Sequence, residues 1–595
     1  MFEGSKAGMS VFYGHCPQAK SYQADPERDF KAIKTALCQV DRALYLTVQP
    51  VLYEYLDIRV PLRWQRLASL ESLLSTNNSG FRFTRAFRII NSRTLDGAGA
   101  DKGGLGVLKV TEQDVEARFL SYEPESHASY TLNGLIRLIL GRLTPNSLRI
   151  FLWHHDCFID TVTIYQLFTS QGKSLQHLAF RAHISGQGEA QLSYAGLRRL
   201  YMPDLRLDEG TWPLQLLAQN YGTLEHLHIG IEGFLFREYA KKGRLEANGD
   251  ERWQKTTAIV SALKSAKDKT DQATSDMRQL KSMTLIGLDI SALCAGTEAI
   301  LKFNCLQRLC VESCVGLETA FSFLVAKATD SDRIPFQELR IRHEHISATF
   351  LNILRDFLVK LRPLKRLHIL LEGECTRAGD LKSILKVHGR SLMSLVWEQR
   401  TGPRLVWGRD TIVSRKDHME FRLIAKYCRE LRSLGLGVRW DHFHDFMGAN
   451  AELESFFSKL KYLRTFNIRG LPAMSLDERG IWLDEDYFFE GLATKFAERI
   501  CQALKTISNV ETLCLGPITF GGMKLSTAAY DREWNYMQPR IYHLQYLRRE
   551  GRLRTVSPWV AKAQLLAVGN VHDAEDWAKD LGIFSPCWLD GKHYS

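Results

Sequence analysis

One short pattern recurs along this chain: apolar, two variable residues, apolar, one variable residue, apolar. It occurs at Leu148/Phe151/Trp153, Leu175/Leu178/Phe180, Leu197/Leu200/Met202, Leu224/Leu227/Ile229, Leu280/Met283/Leu285 and Leu306/Leu309/Val311. It continues at Phe336/Leu339/Ile341, Leu364/Leu367/Ile369, Leu392/Leu395/Trp397, Leu431/Leu434/Leu436, Leu463/Phe466/Ile468 and Val510/Leu513/Leu515, with a weaker early copy at Phe87/Ile89. Successive starts are 27, 22, 27, 56, 26, 30, 28, 28, 39, 32 and 47 residues apart. The step of 56 reads as two periods with one degraded copy, and the steps of 39 and 47 as loop insertions. Within each copy the last two apolar positions alternate with variable ones, the period of a half-buried strand. Between copies the spacing turns helical, as in Phe350-Leu351-Ile353-Leu354-Phe357-Leu358 and Phe421-Leu423-Ile424-Tyr427. A unit of one strand, a turn and one helix cannot bury its apolar side alone, so the units must stack.

Composition agrees with a folded, water-soluble array: 45% of the 595 residues are hydrophobic and 24% charged. The net charge of +11 is dispersed, which favours acidic partners without singling out nucleic acid. No stretch approaches the ~18 consecutive apolar residues of a membrane span. Met1 to Lys20 lacks the basic start and apolar core of a secretory signal, and 12 Cys are too sparse for a disulfide framework. An intracellular location, cytoplasmic or nuclear, is therefore expected.

The copies resemble the leucine-rich-repeat family in its longer, helix-containing form. Leu306-x-x-Leu309-x-Val311-x-x-Cys314 matches the family pattern, including Cys at its Asn/Cys position. The resemblance implies an α/β solenoid with parallel strands on a concave face and helices on a convex one. It also gives the Cys305, Cys310 and Cys314 cluster a structural role, in place of a zinc site whose paired spacing is missing.

Before the repeats, Leu37, Val40, Leu44 and Val48 share one helical face, and Pro50 ends it ahead of a strand-like Leu56-Asp57-Ile58. Read plainly, this is a helix capping the first repeat. Leu37, Val40, Arg42, Leu44, Pro50, Leu52 and Tyr53 also resemble the second half of an F-box as found in fungal F-box proteins with leucine-rich repeats. That family's opening Leu-Pro and first helix have no counterpart in Phe2 to Pro26. The resemblance implies that Leu37, Val40, Leu44 and Leu52 dock the adaptor of a cullin-type ubiquitin ligase while the solenoid presents a protein substrate. The expected divisions are an irregular N-terminus at 1–28, the F-box-like segment at 29–58, the solenoid at 80–520 with a charged insertion near 237–281, and a cap or tail at 521–595.

On the strands, the residues flanking the second and third apolar positions form columns on the face away from the helices. They include His154, His177, Arg181, Arg199, Tyr201, His226 and His228 early, then Arg308, Glu312, Glu338, Arg340, Arg342, Arg366, His368, Glu398 and Arg469. Arg308, Arg340, Arg342, Arg366 and His368 stand out as a basic strip for an acidic or phosphorylated partner segment, since guanidinium pairs in two-pronged fashion with carboxylate and phosphate. The alternative is that these are solvated strand positions.

Sites of small-molecule chemistry are weakly represented. The stretch Gly97 to Gly106 lacks the Gly-Lys-Ser/Thr ending of a phosphate loop, and Trp440-Asp441-His442-Phe443-His444-Asp445 reads as a surface loop. Neither a Gly-x-Ser-x-Gly elbow nor a His-Glu-x-x-His helix occurs. The expectation is a non-catalytic binding protein with no cofactor and no metal. A stand-alone scaffold and an unrecognised enzyme remain as alternatives.

Overall fold

The computed structural model describes residues 53–60, 79–91, 127–154, 158–180, 184–185, 196–202, 212–230, 256–262, 280–291, 305–328, 334–343, 346–373, 375–401, 411–413, 419–438, 450–468, 510–515, 540–543 and 555–556, with single positions at 50, 254, 497, 498 and 500. The candidate adaptor residues Leu37, Val40, Leu44 and Leu52 lie outside the described residues, as do the glycine-rich stretch and the Trp440–Asp445 run.

The strands are β1 (Tyr55–Val60), β2 (Ala86–Asn91), β3 (Ile150–His154), β4 (Ile159–Asp160), β5 (His177–Phe180), β6 (Ile184–Ser185), β7 (Arg199–Met202), β8 (His226–Gly230), β9 (Ser282–Ile286) and β10 (Arg308–Glu312). They continue with β11 (Glu338–His343), β12 (Arg366–Gly373), β13 (Ser394–Thr401), β14 (Thr411–Ile412), β15 (Ser433–Leu436), β16 (Thr465–Ile468), β17 (Thr512–Leu515), β18 (Arg540–His543) and β19 (Thr555–Val556). Between them run α1 (His127–Arg142), α2 (Thr161–Gln171), α3 (Trp212–Gln219), α4 (Leu317–Lys327), α5 (Ala348–Lys360), α6 (Leu381–His388), α7 (Met419–Tyr427) and α8 (Asn450–Lys459).

All twelve repeat copies, and the weaker one at Phe87/Ile89, coincide with strands of a single sheet. From β1 to β17 that sheet is made by thirteen parallel pairings, each joining one strand to the next strand of the array in chain order. An open sheet of parallel strands added one at a time, with helices in the connections, is the α/β stack expected from the repeat. The small pair β4–β6 stands apart, and β14, β18 and β19 add antiparallel pairings.

A hydrogen-bond fork marks every step. The carbonyl just before one strand accepts from two consecutive amides at the entry to the next, as Lys281 O does from Gln307 N at 2.9 Å and Arg308 N at 3.0 Å. The same fork runs from Glu54 O through Arg85, Arg149, Gln176, Arg198, Glu225, Lys281, Gln307, Gln337, Lys365, Met393 and Arg432 to Arg464 O. Neighbouring units therefore share one register throughout.

One expectation is corrected here. The step of 56 residues contains no further strand of the array, because β8 pairs directly with β9, His226 opposite Ser282. Among the additional residues, the helical stretch 256–262 buries Ile259 and Val260. An insertion that joins a core costs the sheet nothing in register, whereas a degraded strand would leave unpaired backbone groups inside it.

The inward side chains of the strands and the apolar stripes of the helices form one continuous cluster from Ile58 to Leu513. Helix α5 buries Phe350, Leu351, Leu354, Phe357 and Leu358, the stripe read from the sequence, and α7 buries Phe421 and Ile424. Phe321 of α4 stacks on Phe357 of α5 with centroids 4.3 Å apart. Side-chain caps set three helix starts: Asp160 accepts from Thr163 N, Ser347 from Phe350 N and Asp380 from Ser383 N.

A polar clamp recurs at the far ends of three helices. Gln171 Oε1 accepts from Ser147 N and Leu148 N, both at 3.0 Å. Asn220 Oδ1 accepts from Gly196 N at 2.9 Å and Leu197 N at 2.8 Å. His388 Nδ1 accepts from Leu364 N at 3.1 Å while Nε2 meets Leu358 O at 2.8 Å. An acceptor at Nδ1 and a carbonyl at Nε2 define the neutral ring protonated on Nε2. Three residues later a hydroxyl closes each clamp: Ser174, Thr223 and Ser391 donate to Leu148 O, Leu197 O and Leu364 O. These side chains satisfy backbone groups where a helix ends and the preceding strand begins, which a buried junction requires.

No helix among the described residues is long and apolar enough to cross a membrane.

Candidate functional site on the open sheet face

Alternation puts Arg308, Cys310 and Glu312 on the face opposite Leu309 and Val311, and parallel pairing carries that choice from strand to strand. One column runs His177, Arg199, His226, Ser282, Arg308, Glu338, Arg366 and Ser394, in Cα register. The next runs Tyr201, His228, Thr284, Cys310, Arg340, His368 and Val396. A third brings Glu312, Arg342, Leu370 and Glu398 into line. Adjacent strands lie about 4.8 Å apart, so neighbours within a column touch. Arg308, Arg340, Arg342, Arg366 and His368 thus share one face over three successive strands.

Their surroundings differ from a bare cationic strip. Arg340 Nε donates to Glu338 Oε1 at 2.5 Å, and Arg366 Nη1 is 3.7 Å from Glu338 Oε2. One carboxylate therefore faces two guanidiniums. Arg400 Nε donates to Glu398, whose side chain is fully buried. Arg340 and Arg342 are buried as well. His368, also fully buried, holds Ser394 Oγ at 2.9 Å through Nε2. Charges in such a setting are retained by one another, and removing one leaves its partner desolvated and opposed by nothing. Between β11 and β13 the face is an internal ion-pair network.

Between β5 and β10 the same face is different. Arg199 is exposed and His177, His226 and Arg308 are half-buried. Arg308 Nη2 lies 3.5 Å from His226 Nδ1, reaching across β9. A guanidinium only donates, so Nδ1 accepts and the imidazole is neutral with its proton on Nε2. Burial, then Arg199 and Arg308, push the His226 pKa down to about 4. Burial, followed by Arg199 and Arg198, also lowers His177. The Tyr201 and His228 rings sit beside this group with centroids 4.1 Å apart. Among the described residues, no carboxylate lies within ion-pair distance of Arg199 or Arg308. Glu225, which directly precedes His226 in the chain, is engaged by Lys281 at 2.8 Å and Arg198 at 3.6 Å.

The column residues were legible from alternation; which of them lie free was not. Glu338 stands beside Arg366 in register and beside Arg340 within its own strand, so pairing neutralises that end. Arg199 has the two histidines as column neighbours, and Arg308 stands between Ser282 and Glu338 without reaching ion-pair distance of that carboxylate. The side chains of His154, Arg181 and Arg469 lie outside the described residues. Cys314, buried in the core, donates through Sγ to Leu285 O of the neighbouring strand β9 at 3.5 Å. Among the described residues no group of three or more His, Cys, Asp or Glu is placed to hold a metal ion.

No family model matches the chain, and no curated protein matches it.

Proposed function

We propose that this chain is a leucine-rich-repeat protein of the F-box-like kind, a non-catalytic substrate receptor for a cullin-type ubiquitin ligase. The observation that carries the binding half is the sheet that does not close: one strand per repeat, apolar inward, with half-buried to exposed polar side chains on the other face between β5 and β10. Such a face offers a partner many side chains held by a rigid scaffold. The ligase half rests on the likeness of Leu37, Val40, Arg42, Leu44, Pro50, Leu52 and Tyr53 to the second half of an F-box. The receptor works by proximity, holding a protein substrate within reach of the transferring enzyme inside the cell.

The test is co-purification of the ligase adaptor with the full chain, alongside Leu44→Asp and Leu52→Asp. The reading predicts that the adaptor follows the wild-type chain and is lost from both variants, with melting midpoints unchanged. A wild-type chain that never retains the adaptor overturns the ligase reading and leaves a stand-alone scaffold.

A further inference from the structure

We propose that Arg199, His226 and Arg308 form an anion subsite on the open sheet face, which receives a carboxylate of an acidic protein segment and takes up a proton as it does so. The inference deepens the substrate-receptor reading by assigning the place and chemistry of substrate contact.

The geometry begins with His226. Arg199 is its column neighbour on β7, and Arg308 reaches it from β10 over Ser282. Two guanidiniums thus flank one imidazole, and neither has a carboxylate at ion-pair distance among the described residues. Along the same face Arg340, Arg366 and Arg400 do have one. Two like charges on one side of a sheet attract an anion.

The groups facing His226 set the coupling. From β5 comes His177; from β7, Arg199 and Tyr201, with Arg198 just ahead of the strand. Its own strand carries His228, with Glu225 ahead of it, and β9 contributes Ser282 and Thr284, with Lys281 ahead. On β10 stand Arg308 and Cys310. The cations outweigh the one acid, which Lys281 and Arg198 occupy. Burial is the larger cause that keeps His226 neutral, and a carboxylate docked between Arg199 and Arg308 offsets the next one, the repulsion of the two guanidiniums. Arg308 turns from Nδ1 to the anion, and the imidazole gains a proton on the freed Nδ1 and donates to the same anion. Linkage requires the reverse too: acid strengthens binding.

The occupant is a protein segment and not a nucleic acid. Glu338 adjoins Arg308 in the column and Glu312 lies on the same strand, so a continuous polyanion following the face meets carboxylates at once. A peptide carries its carboxylates on flexible side chains, so one can enter the Arg199–Arg308 gap while the others turn to solvent, which a charged nucleic-acid backbone cannot do.

The probe is a hexaglutamate peptide, with hexaglutamine and a short single-stranded oligouridine as comparisons. Its affinity for the full chain is measured at low salt from about pH 7 to about pH 5, and histidine-labelled NMR follows His226. A His226 pKa raised by about two units on binding strengthens hexaglutamate affinity roughly tenfold across that range. Arg199→Gln and Arg308→Gln each abolish that gain, and His226→Gln retains neutral-pH binding without pH dependence. Hexaglutamate binding indifferent to both arginine substitutions overturns the assignment, as does oligouridine binding equal to or tighter than hexaglutamate. Should a variant fail to fold, the unaltered chain still decides: a His226 resonance unmoved by saturating peptide rejects the subsite. Adaptor retention does not involve these residues, so this failure and failure of the receptor reading are separable.

Discussion

Truncating Asn220 to alanine removes a clamp, not a surface contact. Its side chain is fully buried, and its Oδ1 serves two backbone amides, Gly196 N at 2.9 Å and Leu197 N at 2.8 Å. Its Nδ2 donates to Leu216 O at 2.8 Å, but that carbonyl keeps the Asn220 backbone amide at 3.2 Å. The loss therefore falls on the two amides. A buried amide left without a partner costs about 1–3 kcal/mol. Leu197 is buried while Gly196 is only half-buried and can reach water, which places the sum at about 2–4 kcal/mol. Hydrogen exchange read peptide by peptide is the right assay, because repeat arrays open locally and a single global midpoint blurs the effect. Protection across 196–202 should fall by roughly thirty- to a thousandfold at about 1.4 kcal/mol per decade, with β15 and β16 unaffected. Thr223→Ala, which removes one hydroxyl donor to Leu197 O, should cost about 1 kcal/mol. Unchanged protection at 196–202 in Asn220→Ala would refute the claim that these side chains hold the end of a helix to the start of the strand before it.

Other consequences are equally direct. Leu367→Ala, at a fully buried position in β12, should cost about 2–5 kcal/mol and expose β11 to β13 to exchange; a loss under half a kcal/mol, by urea titration, would mean the site is not core. His177 and His226 titrate lower when folded than the ordinary 6.5, so the unfolded chain binds more protons in acid. Their stabilising contribution is therefore whole above about pH 6.5 and drains as pH falls towards about 4; the urea midpoint should drop from about pH 6.5 to about pH 5, less so in His226→Gln, and a flat profile would refute the shift. The Cys428 thiol, fully buried and pushed up to about 12 by burial alone, should resist alkylation in the native chain and react once urea unfolds it. Arg340→Glu sets a third carboxyl group among Glu338 and Glu312, so a lower melting midpoint is expected, and an unchanged one would argue against the buried network.

Periodicity made the strands legible because each unit repeats one steric demand: apolar side chains inward at the second and third positions. That demand is local, so even Phe87/Ile89 and Leu56-Asp57-Ile58 fall on strands β2 and β1. Within the 56-residue step only the degraded copy fails, because whether a segment joins a sheet depends on what pairs across it, and β8 closes on β9. The clamps went unseen because Gln171, Asn220 and His388 share no residue type, only an acceptor at one distance from the next unit's first leucine. A signal was present nonetheless, a Ser or Thr directly before Leu175, Leu224 and Leu392. On the sheet face away from the core, alternation puts Arg308, Arg340, Arg342, Arg366 and His368 together but says nothing of charge pairing. Glu338 captures Arg340 and approaches Arg366 only once register is known, which moves attention from the later arginines to Arg199 and Arg308.

The central claim is that repeat number, not sequence distance, sets position in the stack. Spin labels on exposed residues of the fork row test it: Lys281 paired in turn with Lys365, Arg432 and Arg464, which stand three, five and six strands along. At about 4.8 Å per strand, separations near 14, 24 and 29 Å are expected. Distances that ignore this order, or a Lys281–Arg464 separation shorter than Lys281–Lys365, would contradict a stack of parallel strands laid down in chain order.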